Sequence, residues 1–292
     1  MEKLISSEFF IGKYLKDIPH HFKWQTTPLQ IYPLSLFTDL FRLPIPFIQT
    51  DYSFLFYLKE GHIEHIIGTQ KYYIESGTLI LVPAGTMNSL QEVSQDMKGY
   101  FVLMKKETLS SFFDKEKLLS LYTVDPVLKL NKENNEWIYT VLKLLSTEYN
   151  AEMPNELVGN GLAQALMYKI LDLSGQHKPV SRMQQVAIEF KLMVFQNFLN
   201  EKNVAFYADS LAVSENYLNR CVKKYFHKSS KEVIIETAIL ESQILLWNAT
   251  KSVSEISYDL NFDDPSYFAR LFKRVTGLTP SEYRKNINAR FV

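Results

Sequence analysis

Cysteine is nearly missing. Cys221 is the one thiol in 292 residues, so no intrachain disulfide can form and the chain fits a reducing compartment. Net charge is missing too: Lys plus Arg and Asp plus Glu stand at 32 each, so no global field draws the chain toward a polyanion. No apolar run approaches the length that crosses a bilayer, and the first fourteen residues, MEKLISSEFFIGKY, lack the apolar stretch of a signal peptide. These gaps predict a soluble cytoplasmic protein. Glycine and proline desert one part of the chain. Nine of ten glycines and nine of eleven prolines precede Ser181, which predicts strands and turns in front and helices behind. The length accommodates two domains. The expected division is 1–176, a linker at 177–184, and 185–292. From Ser181 onward there are 15 basic and 12 acidic residues, a bias too weak to bind nucleic acid without well-placed contacts.

The most informative stretch is 252–285, SVSEISYDLNFDDPSYFARLFKRVTGLTPSEYRK. It predicts a short helix, a turn and a second helix started by Asp264 as N-cap and Pro265 at the first helical position. Helical spacing gathers Tyr267, Phe268, Leu271, Phe272 and Val275 on an apolar side. Ser266, Ala269, Arg270 and Lys273 fall at i, i+3, i+4 and i+7 on another. Such a helix fits a DNA major groove, where Arg reads a guanine edge and Lys meets phosphate.

The design occurs twice. Residues 214–233, SENYLNRCVKKYFHKSSKEV, align with 264–283, DPSYFARLFKRVTGLTPSEY. Tyr217 matches Tyr267, Arg220 matches Arg270, Lys223 matches Lys273 and Glu232 matches Glu282. Ser214 is the expected cap of the first reading helix, and Asn216, Asn219, Arg220 and Lys223 its outward face. Cys221 falls on the buried side. An internal repeat is far more specific than either copy alone. Three S/T-x-x-E capping boxes, at Ser229–Glu232, Ser252–Glu255 and Thr279–Glu282, mark three further helix starts.

On these residues the segment 204–286 resembles the DNA-binding domain of AraC-type transcription regulators. The run Ile256-Ser257, Asn261-Phe262, Asp264 to Phe268, Arg270, Phe272-Lys273, Gly277, Thr279-Pro280 and Tyr283-Arg284 carries the likeness. Asn261 and His227 stand where Gly is usual, Val222 where Phe is common, and Ala238 where an Arg is frequent. The resemblance implies two helix-turn-helix units joined by a long helix. It implies promoter DNA as the partner, a homodimer, and RNA polymerase as a candidate further partner. The DNA-binding residues it points to are Ser214, Asn216, Asn219, Arg220, Lys223, Pro265, Ser266, Ala269, Arg270 and Lys273.

In the front part, runs at 53–58, 62–67, 72–74, 79–82 and 100–104 read as short strands. The first fifty residues give no clear pattern. A small antiparallel barrel or jelly roll is expected, resembling the cupin-type sensors that precede such helix-turn-helix pairs and implying a small-molecule effector. The fold class is thus α+β: a cupin-like barrel with helices, then an all-α domain. His62 and His65, three apart in one strand, point to opposite faces and make a poor metal pair, and they read as surface or half-buried. Asn88 stands where the resembling sensors often carry His. No metal, cofactor or catalytic residue is expected. Two helices should follow, over 136–149 and 155–173. The stripe Trp137, Val141, Leu144 reads either as packing against the barrel or as a dimer interface. The leading expectation is a sequence-specific DNA-binding regulator that senses a signal. The alternatives are a non-metal cupin-like binding protein or enzyme, and a helical module that binds another protein.

Overall fold

The computed structural model describes residues 5–16, 27–122, 124–175, 181–247 and 251–288. Two compact units divide at 179/180. The expected linker lies partly outside the described residues, and the first helix of the second unit begins within it, at Arg182.

In the first unit, α1 (Ser7–Tyr14) precedes β1 (Leu29–Pro33). The chain continues through β2 (Tyr52–Glu60), β3 (His62–Ile67), β4 (Gln70–Glu75), β5 (Thr78–Val82), β6 (Asn88–Val93) and β7 (Lys98–Lys105). Then come α2 (Lys106–Phe112), α3 (Lys115–Ser120), β8 (Val127–Lys129), α4 (Lys132–Tyr149) and α5 (Glu156–Leu173). The strands form antiparallel sheets, ordered β1-β7-β2-β5-β8 and β4-β3-β6.

The larger sheet is covered on both sides, which is why its strands read as unbroken apolar runs. Side chains alternate along a strand. Leu55 and Tyr57 of β2 join Leu79, Leu81, Val102 and Met104 in a core shared with α4 and α5. Phe54, Phe56 and Leu58 face the other way, into a core with Ile63, Ile67 and Ile74 of the smaller sheet. Each fully buried side chain of this size contributes about 1.5–3 kcal/mol. The Tyr57 hydroxyl donates to Asn135 Oδ1 at 2.9 Å, tying α4 to the sheet. Gly99 is placed by close approach: at φ 143°, a Cβ there would lie 1.9 Å from the Tyr57 carbonyl oxygen.

Two expectations for this unit need correction. His62 and His65 do project to opposite sides, but His65 is 1% exposed rather than superficial. It sits inward beside Phe54 and Phe56, and its Nε2 lies 3.1 Å from Asn88 Oδ1. The stripe on α4 also divides. Ile138, Val141, Leu142 and Leu145 are buried, while Trp137 and Leu144 remain exposed. Residues 138, 142 and 145 follow i, i+4, i+7 along the core face, and 137 and 144 run beside it. Val141 is core.

The second unit comprises α6 (Arg182–Asn197), α7 (Val204–Ser210), α8 (Glu215–Phe226), α9 (Ser230–Trp247), α10 (Val253–Asp259), α11 (Pro265–Thr276) and α12 (Pro280–Asn288). A single core runs through it, from Phe190 and Tyr207 past Leu218, Ile234 and Ile239 to Ile256, Phe268 and Phe272. Helix α9, about 27 Å long at 1.5 Å per residue, packs against elements of both helical pairs. That explains its lack of a polar face.

All three capping boxes form. The Ser229, Ser252 and Thr279 hydroxyls accept from the backbone N–H of Glu232, Glu255 and Glu282. Those carboxylates accept in return from the N–H of the capping residue. The returned backbone hydrogen bond is the main reason each carboxyl is held below the ordinary carboxylate range. Among the described residues, no helix is long and apolar enough to cross a membrane.

Candidate nucleic-acid interface

The two copies of the repeat fold alike down to their backbone irregularities. α8 and α11 are twelve residues each. Ser214 caps α8 by accepting from the Tyr217 N–H, and Asp264 caps α11 by accepting from the Ser266 N–H. Each helix ends on a left-handed residue, His227 at φ 56° and Gly277 at φ 80°. In both, the amide of that residue returns to the carbonyl of the equivalent lysine, Lys223 or Lys273.

The turns entering these helices match as well. Ala212 and Asn261 adopt φ 52° and 53°, while Val213 and Phe262 donate to the carbonyls of Ala208 and Ser257. The glycine-preferring positions occupied by Asn261 and His227 therefore keep the left-handed geometry.

Burial divides each helix in the same register. Leu218, Cys221 and Val222 are buried in α8, and Phe268, Leu271 and Phe272 in α11. Arg220, Lys223 and Lys224 are exposed on the first, and Arg270, Lys273 and Arg274 on the second. Each arginine lies over the tyrosine three residues before it, at 5.4 Å for Arg220 over Tyr217 and 5.9 Å for Arg270 over Tyr267. Arg270 also approaches Asp264 at 3.9 Å. Both groups are well solvated, so this contact is weak and the guanidinium is free to leave it.

The remaining expected residues fall as follows. Ser214, Asn216 and Ser266 are exposed, whereas Pro265 and Ala269 are half-buried. Asn219 differs from expectation: its Oδ1 accepts the Ser230 N–H at 2.9 Å, satisfying the first turn of α9. Its oxygen keeps a second lone pair and its NH2 group remains a donor, so capping α9 is a role added to the expected one. Tyr267 also differs. It is 41% exposed and joins the arginine face instead of the apolar side. Lys224 and Arg274 were overlooked because each directly follows an expected lysine. A count of all cations within one helical turn of Arg220 and Arg270 would have found them.

Between the two helical pairs runs a hydrogen-bonded strap. Lys202, in the loop between α6 and α7, donates to the carbonyls of Leu260 and Asn261 at the end of α10. The Asn261 amide donates to the Leu199 carbonyl at 2.8 Å. The Lys202 ammonium also lies 4.0 Å from the Phe262 ring centroid. Desolvation holds its pKa below the ordinary lysine value.

The family model described as "Helix-turn-helix domain" matches residues 207–286. The Msm operon regulatory protein of Streptococcus mutans is 28% identical over 144 residues, 47% of this chain and 52% of that protein. The match thus spans about half of that relative's length. The HTH-type transcriptional activator RhaR of Mannheimia succiniciproducens is 20% identical over 257 residues, covering 86% of this chain and 91% of its own. Among solved structures, ToxT from Vibrio cholerae O395 is similar with TM-score 0.47 and 17% identity, over 88% of this chain and 97% of that one. The doubled, capped and basic-faced pair of α8 and α11 lies within the matched residues 207–286, so the second unit carries a helix-turn-helix domain.

Proposed function

We propose that this protein is a sequence-specific DNA-binding transcription regulator whose first unit senses a small molecule and whose second unit reads promoter DNA. The observation that carries the reading is the matched pair α8 and α11. Two helices of one length and one burial register present an arginine and two further cations each, over a common core. Promoter recognition by paired helices needs such a repeat, whereas a solvated basic surface does not require equivalent residues in register. The reading residues are Arg220 and Arg270. Lys223, Lys224, Lys273 and Arg274 meet phosphate, and Ser214, Asn216, Pro265, Ser266 and Ala269 line the approach. RNA polymerase remains a candidate partner through the resemblance alone.

A fragment spanning 181–292 tests this reading. Its self-contained core predicts a folded helical domain that binds the promoter fragments recognised by the full chain, with lower affinity if pairing is lost. Circular dichroism and gel-shift assays suffice. A soluble, helical fragment inert toward every such promoter would contradict the division of labour.

A homodimer through α4 belongs to the same proposal. Trp137 and Leu144 are 37% and 52% exposed on one side of that helix, and a second copy would cover them. Trp137→Glu or Leu144→Glu is expected to halve the sedimenting mass while leaving the thermal midpoint nearly unchanged. An unchanged mass in both variants would remove α4 from the interface.

A further inference from the structure

One contact recurs in both copies of the repeat although the core treats its two rings differently. The Arg220 guanidinium lies 5.4 Å from the Tyr217 ring centroid on α8, and the Arg270 guanidinium 5.9 Å from the Tyr267 ring centroid on α11. Both distances fall within the reach of about 6 Å at which a ring quadrupole attracts a cation. Residues three apart share a helix face, so each ring stands directly before its arginine. Tyr217 packs partly against the core of the unit, whereas Tyr267 is 41% exposed. Burial of the ring therefore does not account for the pairing.

The carboxylate beside Arg270 is a poorer candidate for holding the reading group. Asp264 approaches it at 3.9 Å, but the equivalent residue of the first copy is Ser214, which has no charge. A carboxylate also engages the guanidinium N–H groups, the same donors that meet guanine O6 and N7. That contact must be released before a base is read. A ring needs none of those donors, so an arginine held by its tyrosine keeps its N–H fork free for a base edge. The gain is in order. An unrestrained arginine has much rotamer freedom to lose on docking, and preorganisation lowers that cost. A lysine meeting phosphate as a point charge has no such geometry to preserve.

We infer that Tyr217 and Tyr267 are positioning residues, each holding the arginine three residues on for bidentate contact with guanine. Sequence discrimination then depends on two rings that themselves need touch no base. The inference rests on the reading of Arg220 and Arg270 given above and deepens it. Its signature is a split. Loss of a ring lowers discrimination between the correct base and an altered one, in the half-site of that helix alone. Non-specific binding and the salt slope stay as they were, because those belong to the phosphate contacts of the lysines.

Affinities of the full-length protein for two duplexes test the assignment. One is a site selected from a random pool; the other has the guanine whose protection is lost in Arg270→Ala replaced by adenine. Tyr267→Leu should lower the ratio of the two affinities by about two- to fivefold, with the thermal midpoint and salt slope unchanged. Tyr267→Phe, which keeps the ring, should retain the parent ratio. Asp264→Asn, which keeps the cap and removes the charge, should retain it as well. In an Arg270→Ala background, Tyr267→Leu should have no further effect on the ratio. Nitrogen-15 relaxation of the free protein should show the Arg270 Nε–H becoming more mobile in Tyr267→Leu and not in Tyr267→Phe. Tyr217→Leu should act in the other half-site, with Tyr217→Phe again retaining the ratio. An unchanged ratio in Tyr267→Leu would overturn the proposal. So would an equal loss in Tyr267→Phe, which would assign the effect to the hydroxyl, or a full effect of Tyr267→Leu without Arg270. Arg270→Ala alone is the separate control. If it lowers discrimination and Tyr267→Leu does not, only the positioning role falls; if no guanine loses protection in it, the arginine reading falls too.

Discussion

Replacing Arg270 by Ala is expected to weaken promoter binding by about 1–3 kcal/mol and to relax base preference in one half of the site only. The equivalent change at Arg220 should do the same in the other half, about one helical turn away. The reasoning rests on equivalence. Both arginines occupy the same position of a twelve-residue helix, both are exposed, and both lie over the tyrosine three residues earlier. Neither contributes to the core, so each substitution should leave the fold intact. Lys223→Ala and Lys273→Ala should behave differently, weakening binding to all sequences and lowering the salt slope by about one unit. Footprinting of each variant across a salt series separates the two classes. If either arginine change alone erased both half-sites, the placement of two reading helices in successive grooves would be wrong.

The second large effect is on stability. Phe272→Ala should destabilise the second unit by about 3–5 kcal/mol, comparable with the whole stability of many small domains. Phe272 is fully buried, packed edge-on against Phe268 at 6.0 Å and Tyr283 at 5.4 Å. Truncation therefore loses both transfer free energy and the ring contacts, and leaves a cavity between α11 and α12. Denaturant unfolding of the full chain should show the helical transition moving to much lower denaturant while the β-rich transition stays. The repeat partner of Phe272 is Val222, equally buried. Val222→Phe, which would make the two copies more alike, should also destabilise, by about 1–3 kcal/mol, because that part of the core is already closed around the smaller side chain. Coincident loss of both transitions in Phe272→Ala would mean the two cores are not independent.

The second unit was largely legible in the sequence because its helices announce their own ends. Three reciprocal capping boxes and an Asp-Pro start are local signals, and each formed as read. What escaped was tertiary. Asn219 has the composition of a base reader, and its additional hydrogen bond to the first turn of α9, eleven residues on, has no local signal. In the first unit, β2, β3, β4, β5 and β7 were legible from β-branched and aromatic runs. β1 was hidden among prolines, β6 is polar in sequence, and β8 is three residues long. His65 shows the same limit. Strand alternation gave its direction correctly, yet its complete burial depends on an asparagine twenty-three positions away. Val141 and Leu144 lie on one helix within a turn of each other, and only the packing of α4 on the sheet separates core from surface.

The strap formed by Lys202, Leu199 and Asn261 changes what it means for this protein to search DNA. Two tethered modules would each settle on the duplex independently, and the second would arrive from a cloud of orientations set by its tether. Here the two modules share one core around α9, and hydrogen bonds from the loop before α7 to the turn before α11 join them further. The entropy of aligning them is already spent before any encounter, so less is lost on docking. The same rigidity makes the protein sensitive to helical phase. Separating the two half-sites by an extra half-turn would carry the second onto the far side of the duplex. A flexible pair could follow it there, but a strapped pair would be left with one contact.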